Sequence, residues 1–212
     1  MAIDLDAPEF KFLLSQMKKG NVVLFCGAGF SVDATNNDGK SPPLGRALAK
    51  QLADAAGLNF DGEPLPIVYN AVEPIIGSAI LRDHLRKGYI IAGYAPWYDA
   101  ITEFVWNRIY TTNIDNLLDK IYSSKTDQEL ETIVCPDHDR ERDQLLGQLQ
   151  VINLHGHVHQ LDRGVTFTLE EFADQQAGVN PWYQNLIDDL YNRPIVFVGS
   201  LMEESPFQHY LA

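Results

Sequence analysis

The chain has 212 residues, a length that suits one domain or one domain carrying an inserted lobe. Hydrophobic residues make up 45% and charged residues 21%, so a sizeable core can be buried. A net charge of −13 and a pI near 4.7 argue against a nucleic-acid or anionic-membrane surface, which needs clustered Lys and Arg, but not against a phosphate-bearing small molecule held by backbone N–H groups.

At the N-terminus, "DAPEFKFLLSQMKKGN" predicts a helix. Pro8 suits the first turn with Glu9 beside it, Phe10, Leu13, Leu14 and Met17 share a face, and Gly20 stops it after Lys18 and Lys19. Val22 to Cys26 is a continuous apolar run, the pattern of a strand buried on both faces of a parallel sheet. "ATNNDGKSPP" reads as a loop, "LGRALAKQLADAAG" as a helix stopped by Gly57, and "LNFDGEPLP" as another loop. "VEPIIGSAILRDHLRKG" and "PWYDAITEFVW" carry apolar residues at helical spacing and predict a small helical lobe, inserted over about residues 60–105.

Further on, "RIYTTN" predicts a strand and "IDNLLDKIY" a helix. "ETIVCP" predicts a short strand, followed by a polar helical stretch from Asp137 to Leu149. "VINLHG" and "GVTFT" read as strands, "LEEFADQQ" and "PWYQNLIDDLYN" as helices, and "PIVFVGS" as the last strand. Alternating strands and helices of this kind make an α/β fold with a mostly parallel sheet flanked by helices. The chain ends 13 residues after Gly199, which reads as a domain cut from a longer protein.

Two cysteines, Cys26 and Cys135, cannot build a four-cysteine zinc module. Cys26 lies inside its apolar run and reads as a small buried hydrophobe, and a reducing cytosol is the natural setting. The start "MAIDLDAPEF" is acidic and has no signal-peptide core. No apolar run approaches the length of about 18 residues that a membrane helix needs, so a cytoplasmic, membrane-free protein is expected.

Ligands of open parallel sheets bind beyond the carboxyl ends of the strands, so the residues delivered there carry the chemistry. The first strand delivers "CGAGFS". Gly27 suits a tight turn, Gly29 a close approach of backbone to a pyrophosphate, and Ser31 adds a hydroxyl. The third glycine of the common dinucleotide fingerprint is absent, since Val32 stands there, and so is the acidic residue about 20 positions on. A later strand delivers "YTTNIDNLLD", which gathers Thr111, Thr112, Asn113 and Asp115. One such polar residue is a common helix N-cap; four are more than a cap needs. Another delivers "NLHGHVH", whose His155 can act as a base. The last delivers "FVGSL", with Gly199 and Ser200.

"GAGFS", "TTNID", "LHG" and "VGSL", in this order and at these separations, resemble the sirtuin superfamily over roughly Val22 to Leu201. The resemblance implies a Rossmann-like sheet that binds NAD+, and a reaction that breaks the nicotinamide–ribose bond. On it, Gly27, Ala28, Gly29, Phe30 and Ser31 form the phosphate-side loop. Thr112, Asn113 and Asp115 match the Thr-Gln-Asn-Ile-Asp segment of the nicotinamide-ribose pocket. His155 matches the catalytic histidine, and Gly199 with Ser200 the Gly-Thr-Ser segment near the phosphates. The chain departs from the deacylases of that superfamily in lacking the zinc cysteines and the Pro-Asp-Phe-Arg run, where "VDATNNDGK" stands. It also has Thr112 in place of glutamine.

In these departures it looks like the bacterial sirtuin-like NAD+ hydrolases of antiviral defence. That likeness implies one catalytic domain over residues 1–212, with NAD+ as substrate and no metal. It also implies a partner in the form of further copies of the chain or a fused or associated sensor.

Asn113 and His155 are the residues on which the chemistry is expected to rest. Nicotinamide leaves NAD+ as a neutral molecule, so no general acid is needed. What needs stabilising is positive charge on the ribose, as in glycoside hydrolysis, with water aimed at the anomeric carbon. An amide can hold that water, and an imidazole can take a proton.

Three rival readings remain open at this point. "GHVH" resembles the closing Gly-His-x-His motif of metallophosphoesterases, which would make His155, His157 and His159 metal ligands, but the earlier strings of that family do not occur. A sensor that binds NAD+ or ADP-ribose without turnover is the second reading. A deacylase acting on acyl-lysine peptide is the third. Trp97, Trp106 and Trp182 read as core or lobe packing.

Overall fold

The computed structural model describes residues 4, 6–123, 128–135, 148–167 and 181–200. The predicted helix "LEEFADQQ", nearly all of the polar stretch from Asp137 to Leu149, and Leu201 onward lie outside them.

Five strands form one parallel sheet: β1 (Val23–Cys26), β4 (Arg108–Thr111), β5 (Glu129–Val134), β6 (Gln148–Asn153) and β7 (Ile195–Val198). Their order is β5-β6-β4-β1-β7. The chain leaves β1 toward β4 on one side and returns to β7 on the other. The strand order therefore reverses at β1, and the crevice of such a sheet opens there.

The apolar run of β1 is sorted by strand alternation. Val22, Leu24 and Cys26 join one core with Ile109, Val151 and helix α5 (Leu117–Tyr122). Helix α1 (Pro8–Met17) adds Leu13 and Met17 to the edge of that core. Val23 and Phe25 join the opposite core with Tyr110, Ile152 and helix α6 (Pro181–Asn192). Both faces of β1 are covered, which is why it reads as an unbroken hydrophobic run. The fold is the expected α/β, Rossmann-like one.

A third core belongs to a helical lobe of α2 (Gly45–Ala55), α3 (Leu65–Ile76) and α4 (Ser78–Tyr89). Leu48, Leu52, Val68, Val72, Leu81 and Leu85 meet there with Ile114 from the loop after β4 and Val158 and Leu161 from the loop after β6. The lobe thus sits on the carboxyl ends of the sheet strands.

The local structure differs from the sequence reading in several places, among them Gln148 and Leu149, which were expected to end the polar helical stretch and instead open β6. The segment expected as one helix from Val72 is two, because Gly77 sits at φ 80°, closing α3 and opening α4. Helix α3 also starts earlier, behind Pro64. Part of the expected "ATNN" loop is a strand, β2 (Ala34–Asn36), antiparallel to β3 (Ile91–Tyr94). Pro96–Glu103 is 3₁₀ rather than α, anchored by the Tyr98 hydroxyl on the Phe30 carbonyl and by Trp97 Nε1 on Asp33 Oδ2 at 3.1 Å. "GVTFT" pairs with no sheet strand among the described residues. Its Thr166 N–H donates to the His155 carbonyl at 3.0 Å, so it docks on the turn after β6 instead.

Candidate active site

Register places the strand ends in one row. Val134, Asn153, Thr111, Cys26 and Val198 face one another across the sheet. One residue further on stand Leu154, Thr112, Gly27 and Gly199, so the four sequence motifs leave the sheet side by side. Thr111 Oγ1 ties the turn after β4 down by donating to the Cys26 carbonyl at 3.1 Å and accepting from the Asn113 N–H at 3.0 Å. Burial pushes the Cys26 thiol well above its ordinary range, with the Asp115 charge adding to it; this cysteine is packing, not a nucleophile.

Ser31, Asn113 and Asp115 form one chain of hydrogen bonds. Ser31 Oγ donates to Asp115 Oδ2 at 2.7 Å and accepts from Asn113 Nδ2 at 3.0 Å. Asp115 Oδ1 accepts the Leu117 N–H at 3.0 Å, at the start of α5. Burial raises the Asp115 carboxyl above the usual carboxylate range, against the pull of the Ser31 and Leu117 bonds. At the other end of this chain, Asn113 Oδ1 is buried and has no hydrogen-bond partner among the described residues. An unmade bond at a buried acceptor costs about 1–3 kcal/mol, and such atoms gather where a water or ligand belongs.

A cavity of about 270 Å³ lies between the strand ends and the lobe. Ala28, Thr112, Asn113, Asp115 and His155 all line it. Ser31 reaches it only through its bonds to Asn113 and Asp115. Opposite stands an apolar wall of Pro42, Pro43, Leu65, Pro66, Tyr89 and Phe167. Sequence reading passed over this wall because loop prolines and a lobe tyrosine carry no motif. The Tyr89 hydroxyl fixes part of it by donating to the Pro43 carbonyl at 2.7 Å.

Gly27, Gly29, Phe30, Gly199 and Ser200 lie together behind the cavity. A Cβ on Gly27 would stand 2.7 Å from the Gly199 oxygen and from Ser200, and one on Gly29 would stand 2.9 Å from that same oxygen. A Cβ on Gly199, at φ 67°, would stand 1.9 Å from the Phe30 nitrogen. The reason for glycine that the structure supplies is therefore contact between two backbone loops. Their N–H groups are engaged as well: Gly27 donates to Val198, Gly29 to Gly199 at 2.7 Å, and Phe30 to Gly27. Among the described residues, the Ala28 N–H has no backbone acceptor, and Ala28 is the loop residue at the cavity.

The three histidines after β6 go to three different partners. His155 is buried, and its Nε2 lies 3.1 Å from the Tyr183 hydroxyl on α6. Burial lowers its pKa to about 4, so the ring is neutral at ordinary pH. His157 Nε2 stands 2.9 Å from Asp119 Oδ2, while its Nδ1 accepts from the His159 N–H, so the proton is on Nε2. Burial, the largest single influence, would raise the Asp119 carboxyl, but the His157 interactions, the Thr132 hydrogen bond and His159 together bring the group below its usual range. His159 Nε2 accepts from Asn116 Nδ2 at 3.1 Å, since Asn116 Oδ1 is occupied by the Ile91 N–H. Among the described residues no group of three or more His, Cys, Asp and Glu is placed to hold a metal ion.

The polar ends of β1, β4 and β6 thus converge on one cavity at a switch point of a parallel sheet. The model of a family described as the SIR2-like domain matches residues 107–212, half of the chain. The chain belongs to the SIR2-like domain family. The match includes Asn113, Asp115, His155 and Gly199, while the Gly27–Ser31 loop lies before it. Membership ties the domain to NAD+-related chemistry and agrees with the α/β fold. No curated protein matches this SIR2-like chain. No helix among its described residues is long and apolar enough to cross a membrane.

Proposed function

We propose that this SIR2-like domain hydrolyses NAD+ at the nicotinamide–ribose bond, releasing nicotinamide and ADP-ribose. The observation that carries the reading is that Asn113 and His155 line the same cavity, beside a family-matched Asp115. At about 270 Å³ the cavity falls below the range of roughly 300–1,000 Å³ that suits a drug-sized ligand, so it fits one end of a dinucleotide. Its apolar wall suits a planar ring, and its polar side suits a sugar. Among the described residues, Ala28 is the loop residue at the cavity and its N–H has no backbone acceptor, while the buried Asn113 Oδ1 is an acceptor without a partner.

The chemistry follows from these groups. The bond between the anomeric carbon and the pyridinium nitrogen breaks, and its electron pair neutralises that ring. Positive charge grows on the sugar, and the Asp115 carboxylate beside the cavity stabilises it. Asn113 is held through Nδ2 by Ser31, which leaves Oδ1 to accept a hydrogen bond from the attacking water. The water oxygen bonds to the anomeric carbon, and its proton passes to neutral His155 and then to solvent.

The resemblance to bacterial antiviral NAD+ hydrolases supports a role in anti-phage defence by NAD+ depletion, in the cytoplasm, under control of further copies or a sensor. The test is incubation with NAD+ alone and with NAD+ plus an acyl-lysine peptide, quantifying nicotinamide and the ribose product. The hydrolase gives ADP-ribose without peptide. A deacylase gives O-acyl-ADP-ribose only with peptide, and a sensor gives neither product while still binding NAD+.

A further inference from the structure

Residues 37–44 carry the chain from β2 to α2 and put Pro42 and Pro43 on the cavity wall. The first part of this loop is tied to itself and to the loop after β1. Asn36 Oδ1 accepts the Asp38 and Lys40 N–H groups at 3.0 and 3.1 Å, and the Asn36 N–H donates to the Lys40 carbonyl at 2.8 Å. The Ser41 hydroxyl donates to the Val32 carbonyl at 2.8 Å. The two prolines that follow have no N–H to contribute. Among the described residues, the hydrogen bond that holds their backbone is the one from Tyr89 Oη to the Pro43 carbonyl, at 2.7 Å.

Tyr89 is built to make that hold. It is the last residue of α4, and its ring is buried in the lobe core that contains Leu48, Leu85 and Ile114, so packing fixes the position of its hydroxyl. A carbonyl oxygen only accepts, so the phenol is the donor. Burial, helped by the Asp115 charge, raises the Tyr89 pKa, and the donor proton stays in place. One residue back, Gly88 gives Pro43 its seat: a Cβ there would stand 3.3 Å from Pro43 Cδ and 3.4 Å from Cγ. A wall held in this way is ordered before any ligand arrives. Proline has no side-chain rotamers to freeze, and a loop already fixed by the fold costs no further order on binding.

We propose that Tyr89 is a positioning residue whose hydroxyl straps Pro42 and Pro43 into a preformed wall, against which the pyridinium ring of NAD+ packs. The strap stands on the geometry alone; its effect on the substrate rests on the NAD+ hydrolysis reading above. The wall lies opposite Asn113 and His155 and grips ground state and transition state alike, so loosening it weakens binding and leaves the chemical step as it was.

The experiment compares the wild type with Tyr89→Phe, which keeps the ring and removes the strap. Initial rates of nicotinamide release give kcat and KM, and trypsin cleavage after the exposed Lys40 reports opening of the loop in the absence of ligand. With one hydrogen bond lost, KM is expected to rise roughly five- to tenfold with kcat within about twofold, and cleavage at Lys40 to speed up several-fold. An unchanged KM, a fall in kcat with KM held, or equal cleavage rates would each overturn the proposal. If Tyr89→Phe does not fold, Gly88→Ala decides: it keeps the phenol but crowds Pro43, so KM should rise roughly threefold at constant kcat, and an unchanged KM overturns the proposal. If the wild type releases no nicotinamide, the hydrolysis reading fails, while the cleavage rates still decide for or against the strap.

Discussion

The Ser31 hydroxyl donates to Asp115 at 2.7 Å across 84 residues of sequence. This bond joins the loop after β1 to the loop after β4, and Ser31 at the same time accepts from Asn113. Asp115 thereby sets the direction of the chain: ionised, it draws the serine proton and leaves the serine lone pairs to Asn113.

Ser31→Ala removes both bonds. A hydrogen bond to a charged group contributes about 1.5–3 kcal/mol, so kcat for nicotinamide release should fall roughly ten- to a hundredfold. The Ser31 bond also lowers the Asp115 pKa, so its loss raises that pKa further, and the acid limb of the pH–rate profile should move to higher pH. An acid limb left in place would separate Asp115 from the reaction.

His155 makes a pH prediction of its own. Its folded pKa is about 4, against about 6.5 for a free histidine. Between those values the unfolded chain binds the extra proton and the folded chain does not. The stability this group contributes is full above pH 6.5 and is lost as pH falls toward 4, by up to about 3 kcal/mol. His155→Gln should flatten that part of the curve when urea midpoints are compared from pH 7 to pH 4. For activity, neutral His155 persists down to about pH 4, so this group should leave kcat flat from pH 8 to pH 5.

The loop junction behind the cavity separates backbone strain from steric conflict. Gly199 and Gly39 both have positive φ, 67° and 71°, but a Cβ on Gly39 meets nothing within 4 Å. Gly39→Ala should cost about 1 kcal/mol from conformation alone. Gly199→Ala should cost more than about 4 kcal/mol or fail to fold, because its Cβ would overlap the Phe30 backbone. Equal losses in chemical denaturation would show that the two loops do not touch.

At the other end of β4, Asp189 gathers three donors: Tyr110 at 2.8 Å, Arg108 at 3.3 Å and Arg193 at 3.0 Å. Removing the carboxylate leaves two guanidinium groups half-buried without it. Asp189→Ala should lower unfolding free energy by about 3 kcal/mol while nicotinamide release per folded molecule stays at the wild-type level. Loss of activity in proportion greater than the folded fraction would tie this cluster to the cavity.

The strand buried on both faces was legible because the apolar run Val22 to Cys26 needs no partner to be recognised, and "PIVFVGS" carries a similar run although β7 is only partly buried. The β2–β3 pair was not, because "ATN" and "IAGY" are short and the register shifts between Thr35 and Asn36. "GVTFT" alternates like a strand, yet the turn at Gly156 packs against Gly164 and Val165 and takes it out of the sheet. Individual site residues could be read at strand ends, where a sheet delivers its chemistry. The Ser31–Asn113–Asp115 bonds and the Tyr183 contact could not, because they depend on how distant loops and a helix meet. Tyr183 lies on an amphipathic face where a tyrosine looks like ordinary packing. Trp182 and Trp106 are buried as expected, while Trp97 is 47% exposed and bonds Asp33 instead.

The most direct test of the account is product analysis after mixing NAD+ with the wild type, Asn113→Ala and His155→Ala, each checked for folding. The account predicts nicotinamide and ADP-ribose in equal amounts from the wild type, and rates lowered at least a hundredfold in both variants. Wild-type rates in either folded variant, or intact NAD+ after incubation with the active assembly, would contradict it.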